Sequence, residues 1–223
     1  MSKKKVLITG IFGQCGQYLA KELKDSYEVW GLYRNHATDQ DDIIDGINYI
    51  PGDITDYQSL YSVIDKIRPD YIFNAAGFSH IGRSFSQPEL VLKTNGVAVL
   101  YLLEIIKDHF PSIKLCQFSS YEMFAGNKQM PVTEESPLMP VSPYSIGKTV
   151  AHTYIKLYRE QYGIFVSSII LGNTESPKRG IQFVTRKITN YVARKSNNPD
   201  LPPLELGYIN AIRDWGKVED YMK

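Results

Sequence analysis

"KVLITGIFGQCGQYLAKELKD", Lys5 to Asp25, decides how the rest of the chain is read. A short apolar run ends at Thr9, glycines follow at positions 10, 13 and 16, and "QYLAKELKD" then spaces its apolar residues as a helix does. Strand, glycine turn and helix in that order open a βαβ unit. Gly10 suits the tight turn. Gly13 lets a backbone approach a pyrophosphate, which would rest on the helix N-terminus, and Gly16 lets the helix pack closely on the sheet. The competing reading is an ordinary strand–helix turn, and the repeating pattern around the loop favours a dinucleotide site.

That pattern continues outward. "YEVWGLYR", "INYIPGDITD", "DYIFNAAG", "SIKLCQFSS" and "IFVSSIILG" read as strands. Between them lie the helical "YQSLYSVIDKIRP", the long apolar "PELVLKTNGVAVLYLLEIIKDHF", interrupted by Gly96, and a helix from about Pro143 to Gln161. Apolar strands alternating with helices predict an α/β fold, a Rossmann-like doubly wound parallel sheet covered on both faces. From Asn173 the chain turns polar and basic, with one helix and a Pro-rich turn. The expected organisation is a Rossmann domain over 1–172 and the start of a substrate-binding lobe over 173–223.

Composition narrows the function. A net charge of +1 over 223 residues supplies no field for nucleic acid or a membrane surface. No apolar run approaches a transmembrane length, and "MSKKKVLITG" lacks the features of a signal peptide. Two cysteines, Cys15 and Cys116, offer no disulfide framework, and four histidines show no metal-ligand spacing, so no metal is expected. A reducing cytoplasm is the natural setting.

Arg34 closes the second strand, where NAD binders place an acid for the ribose hydroxyls. An arginine there suits a 2′-phosphate, so the expected cofactor is NADP. Asp53, after the third strand, suits the adenine amino group, or is a solvated loop acid. "VSPYSIGKTV" reads as a helix start, with Ser142 as N-cap and Pro143 at the first position. Tyr144 and Lys148 then share a face, and an ammonium close to a phenol favours the phenolate, making an acid/base near neutral pH. Ser120 stands 24 residues before Tyr144. Glu122 is by itself most simply a loop residue facing water.

With these motifs the chain resembles the extended short-chain dehydrogenase/reductases, in the branch that modifies nucleotide sugars. "TGIFGQCGQYLA", "SHIGRSFSQPE", "SPYSIGK", "NTESPKRGIQFVTRKIT" and "RDWGKVEDY" most resemble the GDP-mannose 4,6-dehydratases. The resemblance implies a lyase of deoxysugar biosynthesis that converts GDP-mannose to its 4-dehydro-6-deoxy form with internally recycled NADP. It implies Tyr144 as acid/base at the 4-hydroxyl, Ser120 as donor to the C4 oxygen, Glu122 as the base that takes the C5 proton, and Lys148 as holder of the ribose. It further implies cofactor contacts from Gly10, Ile11, Phe12, Gly13, Gln14, Cys15, Arg34, Asp53, Ile54, Ala75, Ala76, Gly77, Ser79, Thr174 and Arg179. Asn173, Glu175, Lys187 and Arg213 would hold the nucleoside diphosphate sugar. A solvated basic helix face is the usual reading of such a charge run, and the family motifs on both sides of these residues reverse it here.

The chain departs from that pattern in four places. "NHATDQDD" after Arg34 is acidic where the family is basic in a segment that supports tetramers, so a homodimer is expected rather than a tetramer. Thr174 replaces a histidine, and Cys15 replaces an acid in the glycine loop. The sequence also stops at "EDYMK", where the family continues into its substrate lobe. A ketosugar reductase or epimerase on the same site, or a non-catalytic dinucleotide-binding fragment, are the alternative readings.

Overall fold

A computed structural model of the protein describes residues 3–34 and 42–223. The chain divides into two compact units, Met1–Leu171 and Gly172–Lys223.

The first unit begins with β1 (Lys5–Thr9), α1 (Gln14–Leu23), β2 (Glu28–Tyr33), β3 (Asn48–Pro51), α2 (Tyr57–Ile67) and β4 (Tyr71–Asn74). Two short helices follow, α3 (Ile81–Ser84) and α4 (Pro88–Leu92). A π-helical turn, Lys93–Val97, leads from α4 into α5 (Ala98–His109). Then come β5 (Lys114–Ser120), a 3-10 turn (Tyr121–Phe124), α6 (Pro143–Tyr162) and β6 (Val166–Leu171). The six strands are all parallel, in the order β3-β2-β1-β4-β5-β6. This is the doubly wound Rossmann sheet, and its strand order reverses between β1 and β4.

Local chemistry sets the elements. Asp56 caps α2 by accepting from the Gln58 and Ser59 amides, and Ser142 and Ser145 form a reciprocal capping box at the head of α6. Side chains from α2, α5 and α6 join those of the strands in one apolar cluster, while α1 packs on β1 and β2. α5 buries Val99, Leu102, Leu103, Ile105 and Ile106 completely. Each such side chain contributes about 1.5–3 kcal/mol by leaving water.

The long helix read from the sequence is interrupted by the π turn, which contains Gly96. The π turn lets Asn95 turn inward, where it is buried and clamps the Phe78 backbone through both amide groups (Phe78 N–H to Oδ1, 2.7 Å; Nδ2 to Phe78 O, 2.9 Å).

The second unit contains β7 (Asn173–Glu175), α7 (Val184–Asn197), β8 (Trp215–Lys217) and α8 (Val218–Tyr221). β7 and β8 form a two-stranded parallel pair that the sequence reading did not anticipate.

Candidate active site

In a doubly wound sheet the crevice opens where the strand order reverses, at the carboxyl ends of β1 and β4. Gly10 leaves β1 with φ +67°, and a side chain there would meet the Ala76 Cα at 2.7 Å. A Cβ on Gly16 would lie 2.4 Å from the Gly10 carbonyl oxygen. Gly13 is the N-cap of α1 and brings no side-chain acceptor, and the first turn holds no acid. These glycines fit a bound pyrophosphate: the cradle is kept open by missing side chains, and a helix N-terminus heads it. Ile11 is fully buried and packs against Gly31, so only its backbone can serve a ligand. Phe12 stacks on Tyr49 and tilts against Tyr33. Gln14 and Cys15 form the first turn of α1.

On the β4 side, Ala75, Ala76 and Gly77 follow the strand. The Ala76 amide donates to Thr9 Oγ1 at 3.2 Å. A Cβ on Gly77 would fall 3.0 Å from Asn95 Oδ1 and 3.5 Å from Lys148 Nζ, so this turn runs beside the lysine. Ser79 is exposed in the next loop, and Ile54 is buried in the core.

β5 and α6 bring the chemical groups. Ser120 ends β5, buried, and its hydroxyl accepts from the Glu122 amide at 3.3 Å. The same serine thereby caps the 3-10 turn that presents the half-buried Glu122. The Ser142–Ser145 box fixes the first turn of α6, which carries Tyr144. One turn on, Lys148 is buried and donates to the Phe118 carbonyl at 2.7 Å. Its ammonium stands 6.0 Å from the Tyr144 ring centroid. Burial pulls Lys148 down to about 8, against a smaller upward effect of Cys15. Ser120, Tyr144 and Lys148 are thus gathered around the end of β5.

Three buried polar side chains escaped the sequence reading as site residues. Thr9 donates to Asn74 Oδ1, Asn74 Nδ2 donates to Gln117 Oε1 at 2.6 Å, and Gln117 Nε2 donates to the Phe118 carbonyl at 2.8 Å. Asn95 is the fourth. The available signal was a polar residue inside an otherwise apolar run, as in "LCQF" and "LKTNGVAVL".

In the second unit, Asn173, Thr174 and Glu175 form β7, with Thr174 buried. The Glu175 carboxylate accepts from Thr185 Oγ1 and pairs with Arg179 Nε at 3.5 Å, and the Arg179 guanidinium lies over the Phe183 ring, 3.6 Å from its centroid. A groove of about 560 Å³ within this unit is lined by Glu175, Arg179, Arg186, Trp215 and Lys217, among others. Lys187 and Arg213 do not line it. Lys187 is exposed on α7, and Arg213 is exposed and donates to the Ile212 carbonyl.

Among the described residues no three His, Cys, Asp or Glu side chains could hold a metal ion, and no helix is long and apolar enough to cross a membrane. The acidic segment expected to govern tetramer assembly lies, except for Asp42, outside the described residues.

A Rossmann sheet with a glycine cradle, a serine closing β5 and Tyr144 four residues before a buried lysine defines an extended short-chain dehydrogenase/reductase. The chain belongs to the GDP-mannose 4,6 dehydratase family, whose family model matches residues 7–223. It is 36% identical over 235 residues to the GDP-mannose 4,6-dehydratase of Vibrio cholerae, covering 99% of this chain and 63% of that one. It is 39% identical over 238 residues to GDP-mannose 4,6 dehydratase 2 of Arabidopsis thaliana, with the same two coverages. The chain thus spans less than two thirds of these relatives' length. Its fold is similar to that of UDP-glucose 4-epimerase from Thermotoga maritima, solved with UDP-glucose (TM-score 0.88, 22% identity, 98% of this chain and 71% of that one). It is also similar to DesIV, the dTDP-glucose 4,6-dehydratase of Streptomyces venezuelae, solved with NAD (TM-score 0.85, 23% identity, 98% and 69%).

These structures correct the cofactor. Four similar epimerases and dehydratases were solved with NAD, which overturns the expectation of NADP and of a GDP-mannose conversion run on recycled NADP. The physical reason lies at Arg34. Pairing of Tyr33 with Pro51 sets Arg34 beside the turn that carries Asp53. Burial pushes the Asp53 carboxyl up. The Thr55 amide and hydroxyl, each at 2.8 Å, outweigh it together with the Arg34 and Lys93 charges and hold it below the usual range. The charge of the exposed Arg34 already acts on a protein carboxylate, so its presence does not call for a phosphate.

Proposed function

We propose that this chain carries the reaction centre of a nucleotide-sugar 4,6-dehydratase. The dinucleotide, NAD in the structures it resembles, would supply reversible hydride acceptance and be regenerated in each turnover. The observation that carries this reading is the 2.7 Å bond from Lys148 to the Phe118 carbonyl. It ties the helix bearing Tyr144 to the strand that ends in Ser120, two residues before Glu122.

Tyr144 removes the 4-hydroxyl proton as C4 is oxidised, its phenolate favoured by the adjacent ammonium. Ser120 donates to the C4 oxygen. The resulting ketone acidifies the C5 proton, which Glu122 takes. Glu122 passes that proton to the departing C6 hydroxyl, and water leaves. Hydride returned to C6 and a proton restored to C5, matching the one Tyr144 removed, close the balance at the loss of one water. The cations of the second unit, Arg179 and Lys187 with Arg213, support a diphosphate-bearing substrate. GDP-mannose is the first sugar nucleotide to offer, since it names the family. Cys15 and Cys116 are not joined in a disulfide, which supports a reducing, cytoplasmic setting.

The test is Glu122→Gln. C4 oxidation precedes the Glu122 step, so in a single turnover this variant reduces the cofactor and then stalls with the 4-keto sugar, and solvent deuterium fails to enter C5. Normal water loss by Glu122→Gln would refute the mechanism. A product of unchanged mass from the unaltered protein would leave a 4-epimerase.

A further inference from the structure

We propose that Gln117 is a positioning residue for Lys148: through the Phe118 carbonyl it sets where the ammonium is held. This rests on the reading of Tyr144 and Lys148 as the acid/base pair.

The observation is a continuous, polarised line of hydrogen bonds across the carboxyl ends of three strands. The Ala76 amide donates to Thr9, Thr9 to Asn74, Asn74 to Gln117 and Gln117 to the Phe118 carbonyl. From the opposite side Lys148 donates to the same oxygen. Thr9, Asn74 and Gln117 are each at most 1% exposed, so no water competes for these groups.

Strand register explains why the carbonyl needs help. β4 pairs with β5 only as far as Asn74 and Gln117, whereas β5 continues along β6 to Ser120. Phe118 is the first residue of β5 beyond the last β4 pair. A backbone oxygen there requires side-chain partners, since an unmet buried acceptor is costly. Gln117 occupies one acceptor site, and the carbonyl is left to offer the other to Lys148. The glutamine cannot turn away, because its own oxygen is fixed by Asn74, which is fixed by Thr9. A line that begins at the Ala76 amide therefore ends on the oxygen that holds the lysine facing Tyr144.

The titratable groups acting on this ammonium are Tyr144, on its own helix, and Cys15, at the start of α1. Neither touches Gln117 through any bond of the line. For an uncharged substitution at Gln117, a change in Lys148 ionisation therefore reports on the carbonyl.

The experiment follows the titration of Lys148 by NMR in full-length protein with isotope-labelled lysine, the signal assigned with Lys148→Arg. In parallel, kcat and KM are measured against pH. Gln117→Met keeps chain length but loses both amide groups. Freed from its restraint, the carbonyl holds the charged lysine less well. The titration midpoint is expected to fall by about half to one pH unit, as for one modest hydrogen bond. The alkaline limb of kcat moves the same way, while KM for the sugar nucleotide stays within about twofold, because no substrate contact is lost. Gln117→Glu keeps the acceptor for Asn74 and brings a carboxylate near the ammonium, so its midpoint rises by charge attraction alone and serves as the control that the titration reports this site. A midpoint that is unmoved or that rises in Gln117→Met overturns the proposal. Loss of thermal stability alone, with an unmoved midpoint, is the mark of a merely structural glutamine and also overturns it. If Gln117→Met fails to fold, Asn74→Ala, which releases the glutamine's oxygen and adds no charge, is read in its stead, and an unmoved midpoint there overturns the proposal. The NMR arm needs no turnover, so a protein that makes no dehydrated product refutes the proposed function and leaves the positioning of Lys148 to be judged separately.

Discussion

α6 and α7 both carry candidate site residues, and they hold them in opposite ways. α6 buries Ser145, Gly147, Lys148, Ala151, Ile155 and Tyr158, and opens with a reciprocal cap. α7 buries no residue, and its N-cap Phe183 supplies no side-chain bond. On α6 the lysine is fixed to a named oxygen inside the protein. On α7 Lys187 stands in water. The contrast separates two requirements. A group that moves protons must be held within fractions of an ångström and kept dry, so the core surrounds it. A group that meets a large charged ligand has to remain hydrated and accessible until the ligand arrives.

The sharpest way to break this contrast is Tyr144→Phe. Loss of a general acid–base group costs ~10²–10⁴-fold. Turnover should fall by that much while dinucleotide binding, measured by calorimetry, is retained. Near-normal turnover would show that α6 positions no chemistry.

A smaller effect tests the burial of Lys148 itself. Its folded value of about 8 lies below the ordinary 10.5. Below pH 8 both folded and unfolded lysine carry the proton, and the full cost of burying the charge is felt. Between pH 8 and 10.5 only the unfolded form stays protonated, so stability rises with pH. Above 10.5 it levels off. The rise, relative to Lys148→Met, is on the order of 3 kcal/mol. Denaturant titrations of both proteins across this window measure it, and identical pH profiles would mean that Lys148 is not buried as a charge.

The smallest expected effect belongs to α7. Lys187→Ala should change unfolding stability by less than about 0.5 kcal/mol, as an exposed substitution does. A loss above about 1 kcal/mol would place Lys187 in a packed environment like that of α6.

The sequence made the sheet legible because its strands are apolar on both faces and its loops carry glycine at fixed intervals. It made Tyr144 and Lys148 legible because four residues on a helix is a local relation. The misses are non-local. Arg34 read as a phosphate ligand because its neighbour across the sheet, Asp53, is distant in the chain and is brought close only by β2–β3 register. β7 and β8 are three residues each and pair across a gap of some forty residues, too short and too far apart for periodicity to register. Gln117 looked like one polar residue in an apolar run, and its meaning depends on two other strands ending beside it.

The π turn at Lys93–Val97 has a consequence for heredity. Such a turn is an α-helix with one residue inserted. Loss of a single codon within it would restore regular winding, swing every residue on one side by about 100° against the other, and unseat Asn95 from Phe78. A point substitution cannot do this, because it changes a side chain and leaves the count intact. In this stretch the fold depends on the number of residues as well as on their identity, and the gene should tolerate exchanges there far better than it tolerates a shortened helix.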